Sequence, residues 1–335
     1  MPKIAINGFG RIGRNVFKAG FAKAGFNVVA VNDLTDTKTL AHLLKHDSTY
    51  RDWNHNVSSD SDEVIVDGKH VKVFAEKDPT KLPWKKLGID IVLECTGRFT
   101  DLEGASQHIT AGAKRVIISA PAKGGGVPTH VLGVNGKGAG KKAKVINNAS
   151  CTTNCIAPVA AVLNNVFGVR KAMMTTIHSY TADQVLVDGP HKDLRRARGA
   201  AQSIIPTTTG AAIATTEAIP ELKGLFDGLS IRVPTPVVSL SDFTFVLKKR
   251  VTVEQVNEAL IKASQNPIYK GIIEVTHEEL VSADFIGNTA SCIVDLPLTK
   301  VVDGDLVKVI AWYDNEWGYS HRLAEMALEV GKMLK

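Results

Sequence analysis

Ile4-Ala-Ile-Asn-Gly8-Phe-Gly10-Arg-Ile-Gly13-Arg14 is the stretch whose reading decides the fold of the amino-terminal half. Lys3–Asn7 has the composition of a short β-strand, the glycines follow at once, and a helical pattern begins near Arg11. In that context Gly8 permits a tight turn, Gly10 lets a pyrophosphate approach the backbone, and Gly13 lets helix and strand pack closely. The helix start favours the anion. The next strand, Asn27–Asn32, leads into Asp33, about twenty positions past the last glycine, where a carboxylate accepts a ribose hydroxyl. The alternative is a glycine turn and an acid that caps the second helix, near Thr37. Asp33 also repels a 2′-phosphate, so the pattern favours NAD over NADP.

Working outward, Glu63–Val66 and His70–Phe74 flank an Asp67-Gly68 hairpin signal. Ile89–Cys95, Arg115–Ser119, Val131–Val134 and Lys144–Ile146 read as further strands of a mixed, mainly parallel sheet. After Ser150 the rhythm changes. A helix is expected over about Thr152–Asn165 and a strand over Lys171–His178, followed by a long stretch without periodicity from Ser179 to Pro206. Strands at Ser230–Arg232, Val237–Lys248, Ser291–Asp295 and Leu306–Tyr313, a helix opened by Thr252-Val-Glu-Gln255, and a closing helix from about Trp317 to Met333 complete the chain. The fold class expected is α/β: a dinucleotide-binding domain over residues 1–150, joined by the last helix (about 315–335), and an α+β domain over 151–314 with a largely antiparallel sheet.

A chain of 335 residues is long enough for two cores, and 44% apolar with 22% charged residues is ordinary for a globular protein. The net charge of +6 reads as a surplus spread along the chain, suited to anionic ligands in general and not to a nucleic-acid platform. The amino terminus lacks the pattern of a secretory signal, no apolar run reaches membrane-spanning length, and no metal-ligand spacing is present. Four cysteines in so long a chain do not suggest a disulfide framework, so a cytoplasmic setting is expected and any special cysteine is a reactive thiol.

Cys151, in Ser150-Cys-Thr-Thr-Asn-Cys155, falls at a helix start, where the dipole stabilises a thiolate. Read alone, a cysteine is as readily a small buried apolar residue, and Cys95, Cys155 and Cys292 are assigned to packing. His178 ends a strand and is the candidate general base, if the fold brings it to the thiol.

With these residues in place the chain resembles the glyceraldehyde-3-phosphate dehydrogenases along its whole length. The blocks that carry the resemblance are Ala5–Arg14, Ala149–Cys155, His191–Arg198, Pro206–Ala212, Arg232–Thr235 and Tyr313–Tyr319. The resemblance implies a Rossmann domain, NAD as cofactor, and glycolytic oxidation of glyceraldehyde 3-phosphate with inorganic phosphate through a thioester on Cys151, with His178 as base. It further implies one phosphate subsite from Ser150, Thr152, Thr209, Gly210 and Arg196, and another from Thr181 and Arg232. Arg11, Ile12, Asp33, Lys77, Ser119 and Asn315 would contact NAD. It also implies a homotetramer in which residues 179–206 pack against a neighbour's NAD site. The sequence departs from the family pattern at Gly124-Gly-Gly126, where many relatives carry an acidic pair, at Ile213, where a lysine is common, and at Gly189. Two rivals remain: an erythrose-4-phosphate dehydrogenase, which usually lacks threonines matching Thr181 and Thr207–Thr209, and an RNA-binding role, for which no aromatic RNP-like motif is present.

Overall fold

A computed structural model describes residues 1–334 and divides them into two compact units. The first comprises residues 1–130, 136–149 and 320–334; the second comprises Val131–Asn135 and Ser150–Tyr319.

In the first unit the order is β1 (Lys3–Asn7), α1 (Arg11–Phe21), β2 (Asn27–Asn32), α2 (Thr37–Lys45), β3 (Val57–Ser59), β4 (Glu63–Val66) and β5 (Lys69–Phe74), then α3 (Trp84–Leu87), β6 (Ile91–Glu94), α4 (Leu102–Thr110), β7 (Arg115–Ile118) and β8 (Val145–Asn147). The eight strands form one sheet in the order β3-β4-β5-β2-β1-β6-β7-β8. Pairing is parallel from β5 to β8 and antiparallel only at β3–β4 and β4–β5. The chain runs from β1 outward to β5 and then returns to β6 on the other side of β1. The order therefore reverses between β1 and β6, and a crevice opens at the carboxyl ends of such a pair. Ile4, Ile6, Ile91, Val92 and Leu93 are fully buried, as central strands covered on both faces require.

Two sequence expectations change here. Val131–Val134 is a turn and not a strand: Val134 N–H donates to the Val131 carbonyl at 3.1 Å, and Asn135 Oδ1 accepts the Val131 N–H at 2.8 Å. An asparagine bonded to backbone four residues back competes with a ladder. Helix α4 was not anticipated, although its signal is local: Asp101 caps it by accepting from Gly104 N–H at 2.7 Å.

The second unit holds α5 (Cys151–Phe167), β9 (Val169–Ser179), β10 (Ile205–Thr207), α6 (Ala211–Ala218), β11 (Phe226–Val233) and β12 (Ser239–Leu247). They are followed by α7 (Val253–Gln265), β13 (Ile273–Thr276), β14 (Cys292–Asp295), β15 (Lys300–Val302), β16 (Leu306–Tyr313) and the start of α8 (Trp317–Lys332), whose residues from Ser320 on belong to the first unit. The sheet order is β10-β11-β9-β12-β16-β14-β13, with β15 also on β16. Only β9–β11 and β13–β14 pair in parallel, so the sheet is largely antiparallel as expected. Strand β11 is longer than the Ser230–Arg232 read from sequence. Its parallel register sets Arg232 opposite His178.

Candidate active site

In the first unit a cavity of about 350 Å³ lies at the β1–β6 reversal, lined by Gly8, Gly10, Asn32, Asp33, Lys77 and Thr96 among others. Each glycine has its own reason for being there. Gly8 has φ +90° and a Cβ would stand 2.7 Å from Thr96 N; at Gly13 a Cβ would meet Gly8 O at 2.1 Å; at Gly10 it would meet nothing within 4 Å, leaving room for a ligand. Gly10 is also the N-cap of α1 and supplies no side-chain cap to its first turn. An exposed glycine before an uncapped helix start suits a pyrophosphate.

Asp33 accepts Phe9 N–H at 2.7 Å and Thr35 N–H at 3.1 Å, which fixes its carboxylate at the cavity wall. The Arg11 side chain is engaged elsewhere, with Asp47 at 2.6 Å and over the Tyr50 ring. Ser119 continues the ladder by donating its N–H to the Glu94 carbonyl and does not line the cavity. These residues fit NAD, and Asp33 should set the choice of cofactor. Asp33→Ala is expected to lower kcat/KM for NAD by about 10- to 100-fold, the loss of a charge-assisted bond of about 1.5–3 kcal/mol, while NADP changes little. Asp33→Asn keeps an acceptor for Phe9 N–H and separates loss of charge from loosening of the turn. Equal falls for both cofactors would place the effect in the turn.

In the second unit α5 begins at Cys151. Ser150 is its N-cap, with Oγ accepting Thr153 N–H at 2.9 Å, and the preceding Ala149 sits at φ +55°. A non-glycine residue in that region marks a tight local turn of the backbone just before the helix. Cys151 Sγ lies 3.5 Å from His178 Nε2 and 4.0 Å from Thr152 Oγ1. Thr152 Oγ1 in turn bonds Tyr313 Oη at 2.9 Å, and Tyr313 Oη bonds Thr176 Oγ1 at 2.8 Å. The Tyr313 hydroxyl therefore ties the first turn of α5 to β9, the strand that carries His178. Tyr313 falls in a quoted motif but no role was read for it; the signal, a tyrosine closing an apolar strand, is common to packed tyrosines.

His178 Nδ1 stands 2.7 Å from the Ser179 carbonyl and 3.0 Å from Arg232 Nη1. A carbonyl only accepts and a guanidinium only donates, so one proton decides which contact is a bond. The shorter contact puts that proton on Nδ1 and turns the Nε2 lone pair toward sulfur. Burial, followed by the nearby Arg232 charge, depresses the imidazole to about 3, while burial raises the Cys151 thiol against the pull of Arg232 and Thr152. Neither an isolated thiolate nor an isolated imidazolium is favoured here. Transfer of one proton from sulfur to Nε2 creates both charges at 3.5 Å, where each offsets the other's loss of water.

Arg232 Nη1 also donates to Thr181 Oγ1 and to the Ser179 carbonyl, both at 3.2 Å, and its buried Nε has no hydrogen-bond partner. A buried guanidinium with a spare donor suits an oxyanion. Asp183, to which no role was assigned from sequence, accepts from Thr181 Oγ1 and pairs with Arg196 Nη1 at 2.5 Å. Arg196 also donates to Thr207 Oγ1 at 3.0 Å and to the Thr208 carbonyl at 3.3 Å, just before Thr209 and Gly210. It thus joins the Thr181–Arg232 group to the start of α6, which Gly210 caps without a side chain. Asn315 is buried, with Oδ1 accepting from Ser179 Oγ at 2.9 Å and Ser239 Oγ at 3.0 Å.

None of the four cysteines forms a disulfide, and among the described residues Cys151 alone has an imidazole at hand. Cys95 is pushed up to about 12 by burial, and Cys155 is raised well above the usual thiol range. Brief treatment with iodoacetamide near neutral pH is expected to label Cys151 far ahead of the other three, read by peptide mass spectrometry. Even labelling would remove the case for an activated thiol.

Residues 2–102 match the family described as "Glyceraldehyde 3-phosphate dehydrogenase, NAD binding domain", and residues 150–315 match the corresponding C-terminal domain. A glyceraldehyde-3-phosphate dehydrogenase of Geobacillus stearothermophilus is 56% identical over 326 residues, 97% of each chain. One from Bacillus cereus is 53% identical over 98% of each chain, and one from Borreliella burgdorferi is 52% identical over 98% of this chain and all of its own. The chain belongs to the glyceraldehyde-3-phosphate dehydrogenase family. As a member of that family it is an NAD-dependent phosphorylating oxidoreductase, and its first unit carries the family's NAD-binding domain. No comparison favours the erythrose-4-phosphate or RNA-binding alternatives.

Proposed function

We propose that the chain oxidises glyceraldehyde 3-phosphate to an acyl phosphate with Cys151 as nucleophile and His178 as base. The observation that carries this reading is the 3.5 Å contact between Cys151 Sγ and an imidazole whose other nitrogen is held by the Ser179 carbonyl. His178 Nε2 takes the thiol proton as sulfur attacks the aldehyde, passes it to the new oxygen to give a hemithioacetal, and recovers it as that carbon is oxidised. NAD, when bound, supplies the hydride acceptor for that oxidation. Gly8, Gly10, Gly13, Asp33 and Lys77 would hold it, with the first-turn amides of Arg11 and Ile12, and with Ser119 and Asn315 as further contacts. Cys151 then carries a thioester, an activated acyl group that inorganic phosphate can displace.

Two anion subsites serve these steps. Thr181 and Arg232 would hold the substrate's phosphate, and Ser150, Thr152, Thr209 and Gly210 the attacking one, with Arg196 between them. Replacing Arg232 with Ala is expected to lower kcat/KM for glyceraldehyde 3-phosphate by about 10- to 100-fold and to affect unphosphorylated glyceraldehyde little, since the lost charge-assisted contact is worth about 1.5–3 kcal/mol. Comparable losses on both aldehydes would assign Arg232 to orienting His178. Steady-state rates on glyceraldehyde 3-phosphate and erythrose 4-phosphate, measured side by side, test the substrate itself; a preference for the four-carbon aldehyde would overturn the reading.

A cytoplasmic, glycolytic homotetramer completes it. The four free cysteines suit a reducing compartment, and no described helix is long and apolar enough to cross a membrane. Leu186, Val187, Leu194 and Ile204 are 70–81% exposed along the irregular segment after β9, an apolar set of the kind that packs against another copy.

A further inference from the structure

The basic surplus is not spread as the sequence reading expected. No Asp or Glu occurs between Glu103 and Asp183, and residues 104–149 alone carry seven Lys or Arg. That segment outweighs the whole chain's net charge of +6, so the remainder nets one negative charge. Four of the seven are packed into Gly136-Lys-Gly-Ala-Gly-Lys-Lys-Ala-Lys144, the connection that enters β8.

This connection is built as an ordered support. Gly138 and Gly140 adopt φ +76° and +78°, which lets the chain double back twice within four residues. Ala139 is fully buried, a Cβ on Gly140 would meet Val330 of α8 at 3.3 Å, and Arg115 Nε donates to the Gly140 carbonyl at 3.2 Å. Around it lies a cavity of about 540 Å³, lined by His130, Lys137, Lys141 and Lys142, with Glu329 and Met333 on the α8 side. Glu329 is paired with Lys332 at 2.8 Å. Among the described residues no carboxylate comes within 4.0 Å of Lys137, Lys141 or Lys142. Three ammonium groups that have no carboxylate partner among the described residues therefore line one concavity, together with the His130 imidazole.

We propose that this cavity is a binding site for a compact polyphosphate anion, distinct from the dinucleotide cavity and from the thiol site. Three cations lining one hollow match a chain of two or three phosphoryl groups better than a single phosphate. The size suits a small ligand and not the broad track a nucleic-acid backbone needs. The lining has no Phe, Tyr or Trp ring to stack a base and presents three lysines, so recognition rests on the phosphates. A free inorganic chain and the triphosphate of a nucleotide present the same chemistry.

The test is calorimetric titration of the protein, saturated with NAD and carboxymethylated at Cys151, with tripolyphosphate, adenosine triphosphate and monophosphate at about 0.15 M salt. Saturable binding of tripolyphosphate at one site per chain is expected, with monophosphate at least roughly tenfold weaker. The Lys137→Gln, Lys141→Gln, Lys142→Gln variant should lose about tenfold or more in affinity while its dehydrogenase activity stays at the parent level, which also reports that it folds. A tighter grip on adenosine triphosphate than on tripolyphosphate, lost in the same variant, would identify a nucleotide as the source; equal grip would identify the phosphate chain. Unsaturable binding, or saturable binding that the triple variant retains, would overturn the proposal. So would tight binding of an RNA oligonucleotide without saturable tripolyphosphate binding, which would mark a surface for polymers instead.

Discussion

In phosphate-free buffer, rapid mixing of enzyme and NAD with glyceraldehyde 3-phosphate is expected to release a burst of NADH close to one per active site, followed by a phase slower by orders of magnitude. Oxidation consumes the hemithioacetal but leaves the acyl group on Cys151, and steady turnover needs an acceptor to remove it. Among the described residues no carboxylate is poised beside the sulfur to activate water. The neighbours are Thr152, Tyr313, His178 and Arg232, while the nearby carboxylate, Asp183, is occupied by Thr181 and Arg196. Addition of inorganic phosphate should restore steady turnover, and intact-mass analysis of the stalled enzyme should show the acyl adduct on Cys151. Undiminished turnover without phosphate would identify a hydrolytic aldehyde dehydrogenase.

The second large effect is expected from His178→Asn. Loss of a positioned general base typically costs about 10²–10⁴-fold, and here the same residue also supports the thiolate. With the imidazole gone, burial still raises the Cys151 thiol and only Arg232, Thr152 and the helix start oppose it. The pH profile of alkylation should therefore move to higher pH: at neutral pH the variant holds less thiolate than the parent, and the two should converge under alkaline conditions. NAD affinity should stay at the parent level, because the Gly8–Asp33 cavity lies within the first unit. An unchanged alkylation profile would mean that the helix start alone activates the sulfur.

What the sequence made legible follows from how local each signal is. The dinucleotide site was readable because turn, helix start and acid lie within about thirty residues, and each glycine answers a steric demand that recurs in the structure: a positive φ at Gly8, open space at Gly10, a close carbonyl at Gly13. The thiol was readable as far as the helix start. Its meeting with His178 was not, because it depends on where β9 ends relative to α5, a matter of tertiary packing. The family resemblance supplied that pairing, and the 3.5 Å contact gives it a geometry. Tyr313 escaped because its value lies in contacts with distant residues, Thr152 being 161 positions away, and Asp183 because its partners Thr181 and Arg196 lie in a segment without periodicity. Val131–Val134 misled because β-branched residues were weighed above Asn135, whose side chain closes the turn. The basic connection at 136–144 was hidden by counting charge over the whole chain, where acids elsewhere cancel it.

His178 and Arg232 are register partners on neighbouring parallel strands. Hydrogen-bonded strands stand about 4.8 Å apart, and that spacing does not stretch. The backbones that carry the proton acceptor and the guanidinium are therefore mounted like the jaws of a fixed gauge, and only side-chain torsions, chiefly those of Arg232, adjust the interval between them. If Arg232 holds the substrate's phosphate as proposed, a substrate whose charged end lies farther from its aldehyde has only that adjustment to draw on, because the sheet itself will not open. Redesign for longer phosphorylated aldehydes should accordingly begin at Thr181, which lies beyond the end of β9 and outside its ladder, and leave the two jaws in place.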